Sequence, residues 1–291
     1  MLQIDDHRVN AIGFRLITAN APFCNERRPA TGLLLADMAT YRDPGAIRAA
    51  MGLKGDFAVQ AVAPGSPAAE AGIVAGAELF TIDGTPPGAL ASFTPGGTGR
   101  LNALHERIES AVEGAGEVRL RLTDRTSALR GVTACHVHFE LTTDGKGAQA
   151  GDGLVLVSRA MLSETRTDDE AAFVMAHETA HIVLGHQARR KAFGKARAVM
   201  LETEREADRI AVWLMTNAGY DPNVGPGFLR RYGAKGLASL FPGPYHDRAG
   251  VRATMVGGEI AAMRAATAGE NSLKDWRVAL RPRLLDRNIF R

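Results

Sequence analysis

Residues 167–190, TDDEAAFVMAHETAHIVLGHQARR, decide the fold of the second half of the chain. Thr167 and Glu170 form a capping-box pattern, and acidic residues in the first turn with basic residues in the last turn are typical of a helix. Apolar residues stand on both sides of the HETAH core. The stretch therefore predicts one long helix that is buried over most of its length.

The HETAH core has the spacing of a metal site. His177 and His181 stand four residues apart on one helix face, where two imidazoles can bind one zinc ion. Glu178 can take a proton from a water molecule at that ion. A helix with two unrelated histidines is the alternative, but unliganded imidazoles among apolar neighbours would cost desolvation energy. We therefore predict one zinc ion per chain, with Glu178 as the catalytic base.

A catalytic zinc ion needs a third protein ligand, and the next predicted helix, residues 196–218, offers several carboxylates. Glu204 and Asp208 are four residues apart and share a face, while Glu202 and Glu206 define a different pair. We predict that Glu204 binds the metal and that Asp208 hydrogen-bonds a zinc-binding imidazole and fixes its tautomer. An ordinary charged helix face is the alternative interpretation of these acids.

His186 follows the HETAH core but does not complete a three-histidine site. In the HExxHxxGxxH pattern the third histidine comes six residues after the second, where this chain has Gln187, and Gly185 comes one place late. On a continuous helix His186 lies well over a quarter-turn from the face of His181. We predict a helix-end or packing role for it.

The motifs together resemble the HtpX and CAAX-prenyl-endopeptidase family of zinc metallopeptidases. The resemblance rests on HETAH, on residues 204–209, EREADR, and on residues 218–222, AGYDP, and it covers residues 153–266. It implies an α+β fold, mainly helical and zincin-like with a small sheet, and a gluzincin-type zinc endopeptidase that acts on protein or peptide substrates. The ExxAD signature of the family falls on Glu204 and Asp208.

A late loop carries a further candidate catalytic residue. Family members usually have a His-Pro step before an arginine on a late helix, and His246-Asp247 followed by Arg252 stands in that place without the proline. The resemblance implies that His246, or its neighbour Tyr245, steadies the oxyanion. An imidazole that blocks the fourth zinc position and a solvent-exposed loop histidine are the alternatives for His246.

The first half of the chain resembles a PDZ domain of the bacterial protease-associated kind. The resemblance rests on residues 51–62, MGLKGDFAVQAV, residues 64–72, PGSPAAEAG, and residues 79–84, LFTIDG, and it covers residues 45–130. It implies a β-rich domain, inserted into the peptidase, that recognises peptide C-termini. A PDZ-shaped spacer whose groove is closed is the alternative.

The resemblance also implies a place for the peptide. The peptide would add as a strand to FAVQAV, which begins at Phe57, and the backbone N–H groups of Gly52, Leu53 and Lys54 would hold its terminal carboxylate. The predicted helix over residues 101–112 would form the other wall.

A chain of 291 residues suits two domains. We expect residues 1–44 to form an N-terminal segment of the peptidase domain, residues 45–130 the PDZ-like domain and residues 131–291 the metallopeptidase domain. Cys24 and Cys135 flank the insert, and either a disulfide or two buried thiols is consistent with them.

Several shorter elements are predicted from local patterns. Residues 9–17 fit a helix or a strand equally well, residues 118–122 alternate as a strand, and residues 248–266 predict an amphipathic helix. Residues 153–158 predict a strand before the motif helix, with which an extended substrate could pair.

The composition limits which kinds of partner are expected for this chain. The chain is 45% hydrophobic and 23% charged, as globular proteins are, and its net charge of +3 comes without a dominant Lys/Arg cluster, so nucleic acid is not expected as a partner. No apolar run approaches the ~18–20 residues that span a bilayer, so no membrane span is expected.

The start, MLQIDDHRVN, lacks the features of a signal peptide. We expect a cytoplasmic protein, or a periplasmic or exported one if a leader was removed; the resemblance is to the soluble periplasmic branch.

Two other functions are consistent with the same residues. One is a peptide-binding adaptor or chaperone with a latent zinc site, and the other is an inactive peptidase whose fourth zinc position is filled by His246. The intact Glu178 favours an active enzyme, because a structural zinc site has no use for a general base.

Overall fold

The computed structural model describes residues 2–90, 99–194, 196–234, 246–268 and 275–277. The chain forms two compact units, one of Met1–Phe14 with Arg27–Ala134 and the other of Arg15–Glu26 with Cys135–Arg291. Helices and strands are mixed, as in the predicted α+β class.

The first unit contains most of the strands. Its helices are α1 (Leu2–Ala19, whose residues from Arg15 belong to the second unit), α2 (Pro44–Met51), α3 (Pro67–Glu70), α4 (Pro87–Leu90) and α5 (Gly99–Ala115). Its strands are β1 (Arg27–Ala30), β2 (Leu33–Asp37), β3 (Phe57–Val62), β4 (Leu79–Ile82), β5 (Val118–Leu122), β6 (Thr126–Leu129) and β7 (Val132–Cys135, whose last residue belongs to the second unit).

Alternating and helical apolar patterns build the core of the first unit. In β5, Val118, Leu120 and Leu122 are buried and the arginines between them are exposed, as expected of a strand with one face on a core. Leu104 and Ile108 of α5, four residues apart, pack into the same core. The strands pair as β2-β3, β4-β5-β6 and β1-β7.

The first unit begins earlier than the expected boundary at residue 45. β2 pairs antiparallel with β3 from Leu33↔Val62 to Asp37↔Phe57, with one irregularity in register, and this ladder ties the residues before 45 to β3. Only Arg15–Glu26 of the predicted N-terminal segment lies in the second unit. The boundary was misplaced because strand pairing is a long-range contact that no local pattern reveals.

β3, the strand expected to pair with a peptide, has neighbours along both of its edges. β3 has β2 on one side, and on the other side Val59 N donates to Ala77 O and Gly76 N donates to Val59 O, both at 2.8 Å. Phe57 is buried in the core. The prediction that a peptide adds to FAVQAV is therefore not compatible with the structure.

The loop expected to hold a terminal carboxylate already binds groups of its own chain. Gly52 N and Leu53 N donate to carbonyls in the last turn of α2, at 3.3 and 2.9 Å, and Gly52 takes the left-handed conformation of a helix cap. Lys54 N donates to both carboxylate oxygens of the buried Glu78, at 3.1 Å. The chain itself supplies the carboxylate that was expected from a peptide.

The second unit is mainly helical. Its strands are β8 (His138–Thr142), β9 (Ala148–Gly151) and β10 (Leu154–Ser158). Its helices are α6 (Arg159–Glu164), α7 (Asp168–Val183), α8 (His186–Phe193), α9 (Arg197–Asn217), α10 (Val224–Ala234) and α11 (Ala249–Ala266), besides the end of α1.

The small sheet of the second unit has the order β8-β10-β9, with β10 parallel to β8 and antiparallel to β9. The strand predicted over residues 153–158 is therefore the central one, and a substrate cannot pair with it. β9 is an edge strand in the described part of the chain, and it contacts α7.

The motif helix begins as predicted but ends earlier. Thr167 Oγ1 accepts a hydrogen bond from Glu170 N at 3.2 Å, and the Glu170 carboxylate accepts two from Arg231, at 2.9 and 2.7 Å, so the start of α7 is capped and held. The helix ends at Val183, Gly185 adopts a φ of 63°, and a separate helix starts at the next residue. The single long helix is thus two helices joined at a left-handed glycine.

The segment Arg15–Glu26 is fastened to the second unit. Cys24 and Cys135 form a disulfide with a Cα–Cα distance of 5.4 Å, which selects one of the two alternatives for these cysteines. Asn20 Nδ2 donates to Leu214 O at 3.0 Å, and Arg15 donates to Ala218 O at 2.7 Å, both near the end of α9. Within the described residues, no helix has the length and apolar character to cross a membrane.

Candidate metal centre

Four helices of the second unit, α7, α8, α9 and α11, contribute to a buried cluster of ionisable side chains. α7 contributes His177, Glu178 and His181, and all three are buried. α9 packs along α7 and contributes Glu204 and Asp208, also buried. Both motif segments are helical, although the first helix ends at Val183, and the two predicted histidine ligands lie within reach of the predicted glutamate ligand.

Three atoms form a triangle with the dimensions of a zinc site. The distances are 3.2 Å from His177 Nε2 to His181 Nε2, 3.2 Å from His177 Nε2 to Glu204 Oε2, and 3.5 Å from His181 Nε2 to the same oxygen. Ligands about 2.0–2.1 Å from a tetrahedral zinc ion lie about 3.3 Å from one another. Two imidazoles and one carboxylate at these distances fit zinc with one coordination position left over.

The charges around the triangle favour a cation. Burial alone would lower the pKa of His177, but its hydrogen bonds to Asp208 and Glu204 raise that pKa to about 9. Burial alone would raise the pKa of Glu204, but His177 and His181 hold it well below its usual range. The carboxylates thus stabilise positive charge among the two imidazoles, which a divalent ion would supply.

Asp208 lies where the sequence predicted it, on the far side of His177. Its Oδ1 is 3.0 Å from His177 Nδ1, and the Arg252 guanidinium of α11 donates two hydrogen bonds to it, at 2.8 and 2.6 Å. Burial would raise the pKa of Asp208, but Arg252 and His177 lower it. An ionised Asp208 accepts the Nδ1 proton of His177 and leaves the Nε2 lone pair for a metal.

The second oxygen of Glu204 is also held. Arg190, in the second turn of α8, donates from its guanidinium to Glu204 Oε1 at 2.7 Å and to Thr203 Oγ1 at 2.8 Å. This contact fixes the rotation of the carboxylate, so that Oε2 points to the two imidazoles.

Glu178 follows His177 in α7 and is buried. Burial raises its pKa, and the charges of His177 and His181 oppose that increase. A carboxylate with a raised pKa accepts a proton more readily at neutral pH, which suits a general base.

His246 comes close to the triangle. Its Nδ1 is 3.2 Å from Glu204 Oε2, the oxygen that faces the two imidazoles. Burial lowers the pKa of His246 to about 4, and the charge of Arg252 contributes in the same direction. The next residue, Asp247, pairs with Arg205 of α9 at 2.6 and 3.1 Å and holds this part of the loop on the helix. Tyr245, the other oxyanion candidate, lies outside the described residues.

Four residues of the cluster were not predicted from the sequence as part of the site. They are the two arginines and the histidine of α8 and a glutamate of α9: His186, Arg189, Arg190 and Glu206. His186 is fully buried, and its Nδ1 is 2.7 Å from His181 Nδ1. The sequence signal that could have found it is Gly185, because a left-handed glycine ends α7 and turns the next residue back toward the site.

Comparison with known families supports a metallopeptidase. A sequence model described as Peptidase family M48 matches residues 146–201, which include β9, β10, α7 and α8. The match contains His177, Glu178 and His181 and ends before Glu204. Peptidases of this family are metal-dependent, usually with zinc. A comparison with curated proteins found no match.

Proposed function

We propose that this chain is a zinc-dependent endopeptidase of the gluzincin type, similar to the HtpX and CAAX-prenyl-endopeptidase group, that hydrolyses peptide bonds in protein substrates. The observation that carries the proposal is the triangle of His177 Nε2, His181 Nε2 and Glu204 Oε2, with sides of 3.2–3.5 Å, beside the buried Glu178. The cleavage and zinc-retention experiments described in the Discussion test it.

Each residue of the cluster has a place in the proposed reaction. Zinc, held by the triangle, would supply Lewis-acid activation of a water molecule and of the substrate carbonyl. Glu178 takes the proton from that water and passes it to the leaving amine. Asp208, itself held by Arg252, keeps the proton of His177 on Nδ1.

The substrate in this proposal lies along β9. β9 is the edge strand of the small sheet in the described part of the chain and contacts the motif helix α7. An extended peptide can add to such an edge through main-chain hydrogen bonds, which are largely independent of sequence. This arrangement would place a scissile bond near α7, where Glu178 stands.

We predict that His246→Ala lowers the rate of peptide hydrolysis by about 100-fold, with zinc retained, because the imidazole beside Glu204 Oε2 donates a hydrogen bond to the oxyanion. The measurement is the initial rate on casein together with the zinc content. His7→Ala, which removes an exposed histidine of α1, is the matched control. An increased rate would identify His246 as a block of the fourth zinc position, and an unchanged rate would exclude any role.

We extend the proposal to peptide recognition by the first unit, on β2 instead of β3. Among the described residues β2 pairs only with β3. Leu35 N, in the middle of β2, donates to His105 Nε2 of α5 at 3.3 Å, so a helix flanks this edge and a peptide that adds to β2 would have to replace this contact. A strand edge beside a helix is the geometry in which peptides bind by strand addition. This role is also what an adaptor function would require.

A peptide titration tests this role. We predict that a peptide with an apolar C-terminal residue binds the full chain with similar affinity, within about twofold, whether its C-terminus is a free carboxylate or an amide. The reason is that Gly52 N, Leu53 N and Lys54 N already donate within the chain, so that binding rests on main-chain pairing with β2. Fluorescence anisotropy of the two labelled peptides measures the difference. Binding of neither peptide would reduce the first unit to a spacer, and a preference of about tenfold for the free carboxylate would contradict the occupied state of these N–H groups.

We propose a periplasmic or exported location. The disulfide between Cys24 and Cys135 supports it, because disulfides form and persist in oxidising compartments and are rare in the cytosol.

A further inference from the structure

His186 occupies an unusual position for a residue outside the metal triangle. It is fully buried at the first position of α8, and both of its ring nitrogens have close partners. Nδ1 is 2.7 Å from His181 Nδ1, and Nε2 is 3.0 Å from Glu206 Oε2. The three side chains form a line that starts at Nδ1 of His181, the ring nitrogen that is not part of the triangle, and ends at Glu206.

With Glu206 as a carboxylate, only one placement of the ring protons makes both contacts of His186 hydrogen bonds. A carboxylate only accepts hydrogen bonds, so His186 carries its proton on Nε2 and its Nδ1 has a free lone pair. His181 must then carry its proton on Nδ1 to make the 2.7 Å contact. The consequence is that Nε2 of His181, the atom in the triangle, has its lone pair available for a metal.

Arginines of the same helix hold both ends of the line. Arg189 donates to Glu206 Oε2, the oxygen that contacts His186. Arg190 donates to Glu204 Oε1 at 2.7 Å and to Thr203 Oγ1 at 2.8 Å. The same nitrogen lies 3.3 Å from His181 Nδ1, where a protonated Nδ1 leaves the shorter contact to His186 as the hydrogen bond. α8 therefore contacts two of the three ligand residues.

We propose that His186 and Glu206 are positioning residues that fix the tautomer and ring orientation of His181 as a zinc ligand. The inference rests on the proposed zinc site. It gives His181 an outer partner comparable to the one that Asp208 provides for His177, with an imidazole inserted between the ligand and the carboxylate. A packing histidine, by contrast, would fill space without affecting the metal.

Zinc affinity, measured by competition with a chromophoric chelator, distinguishes the two roles. His186→Phe keeps a ring but removes the acceptor, and we expect zinc to bind about 10- to 100-fold more weakly, as when other outer partners of zinc histidines are removed. The far-ultraviolet circular dichroism of the metal-free variant checks that it folds.

A pair of smaller substitutions keeps the test decisive if the phenylalanine variant does not fold. In His186→Asn the amide reaches the place of Nδ1 and can still accept from His181, whereas in His186→Gln it reaches the place of Nε2 and contacts Glu206 instead. We expect the asparagine variant to retain more zinc affinity than the glutamine variant. In ¹⁵N-histidine spectra of the metal-free wild type, His181 should already carry its proton on Nδ1, because His186 accepts from it.

The outcomes separate this inference from the proposed function. If the wild type binds zinc and folded His186→Phe binds it within about twofold of the wild type, His186 is a packing residue. An asparagine variant no better than the glutamine variant, or a proton on Nε2 of His181 in the metal-free protein, would also overturn the inference. A wild-type protein that binds no zinc overturns the proposed function itself.

Discussion

Replacement of Glu178 by glutamine is expected to abolish peptide hydrolysis while zinc stays bound. Glutamine preserves the shape of the side chain but cannot accept the proton of the nucleophilic water. General acid–base groups contribute about 10²–10⁴-fold to rates, so the rate should fall by at least about 100-fold. The measurement is the initial rate of casein cleavage by the zinc-loaded full chain, with the zinc content of both proteins determined in parallel.

Glu202→Gln is the matched control for this variant. Glu202 is also buried and lies on α9, but it is not one of the three metal-facing residues, so its replacement should leave cleavage within a few fold of the wild type. Full cleavage by the Glu178 variant would contradict the role of general base. If the wild type cleaves no protein while binding zinc, the latent or adaptor function is favoured instead.

Removal of the Glu204 carboxylate should have the largest effect on the metal. Glu204→Ala deletes one of three protein ligands and leaves the guanidinium of Arg190 without its partner at Oε1. Removal of an outer hydrogen-bond partner of a zinc ligand lowers zinc affinity by up to ~100-fold. We expect the loss of a ligand itself to lower zinc affinity further and to abolish hydrolysis. Zinc retained after dialysis against a chelator, per folded chain, measures the effect.

The assignment of the third ligand is tested by the same substitution at a neighbouring acid. Glu202→Ala should retain zinc, since the ligand atoms that converge belong to His177, His181 and Glu204, and Glu202 lies 3.8 Å from Arg205. If the Glu202 variant loses zinc and the Glu204 variant keeps it, the ligand assignment is wrong.

The central residues of the site could be predicted because they are encoded locally. His177 and His181 are one helical turn apart, and Glu204 and Asp208 repeat that spacing on the next helix. Capping residues and apolar neighbours defined both helices. Such relations need only the helical period, which is a property of a short stretch of chain.

The contact of His186 with His181 was not predicted, because one residue changed the geometry. The argument that it lies off the ligand face holds only for a continuous helix, and Gly185 ends that helix with a φ of 63°. Arg252 was recognised only as part of a family pattern, because its contact with Asp208 joins residues 44 positions apart. Distant contacts of this kind depend on how helices pack, which the local pattern does not specify.

The first unit illustrates the same limit for strands. FAVQAV was correctly predicted as β3, but its edges are occupied by β2 and by residues 76–78, and neither pairing is visible in a local pattern. The N–H group of Lys54 was predicted to be available, yet Glu78, which is 24 residues away, accepts from it. Element type follows from periodicity, whereas edge availability follows from topology.

The central claim is that His177, His181 and Glu204 hold one zinc ion, and anomalous scattering measured on both sides of the zinc absorption edge tests it most directly. Crystals of the zinc-loaded full chain should give one strong anomalous peak per chain, about 2.0–2.2 Å from His177 Nε2, His181 Nε2 and Glu204 Oε2. A peak coordinated by a different set of side chains, or no peak at these three atoms, would contradict the account.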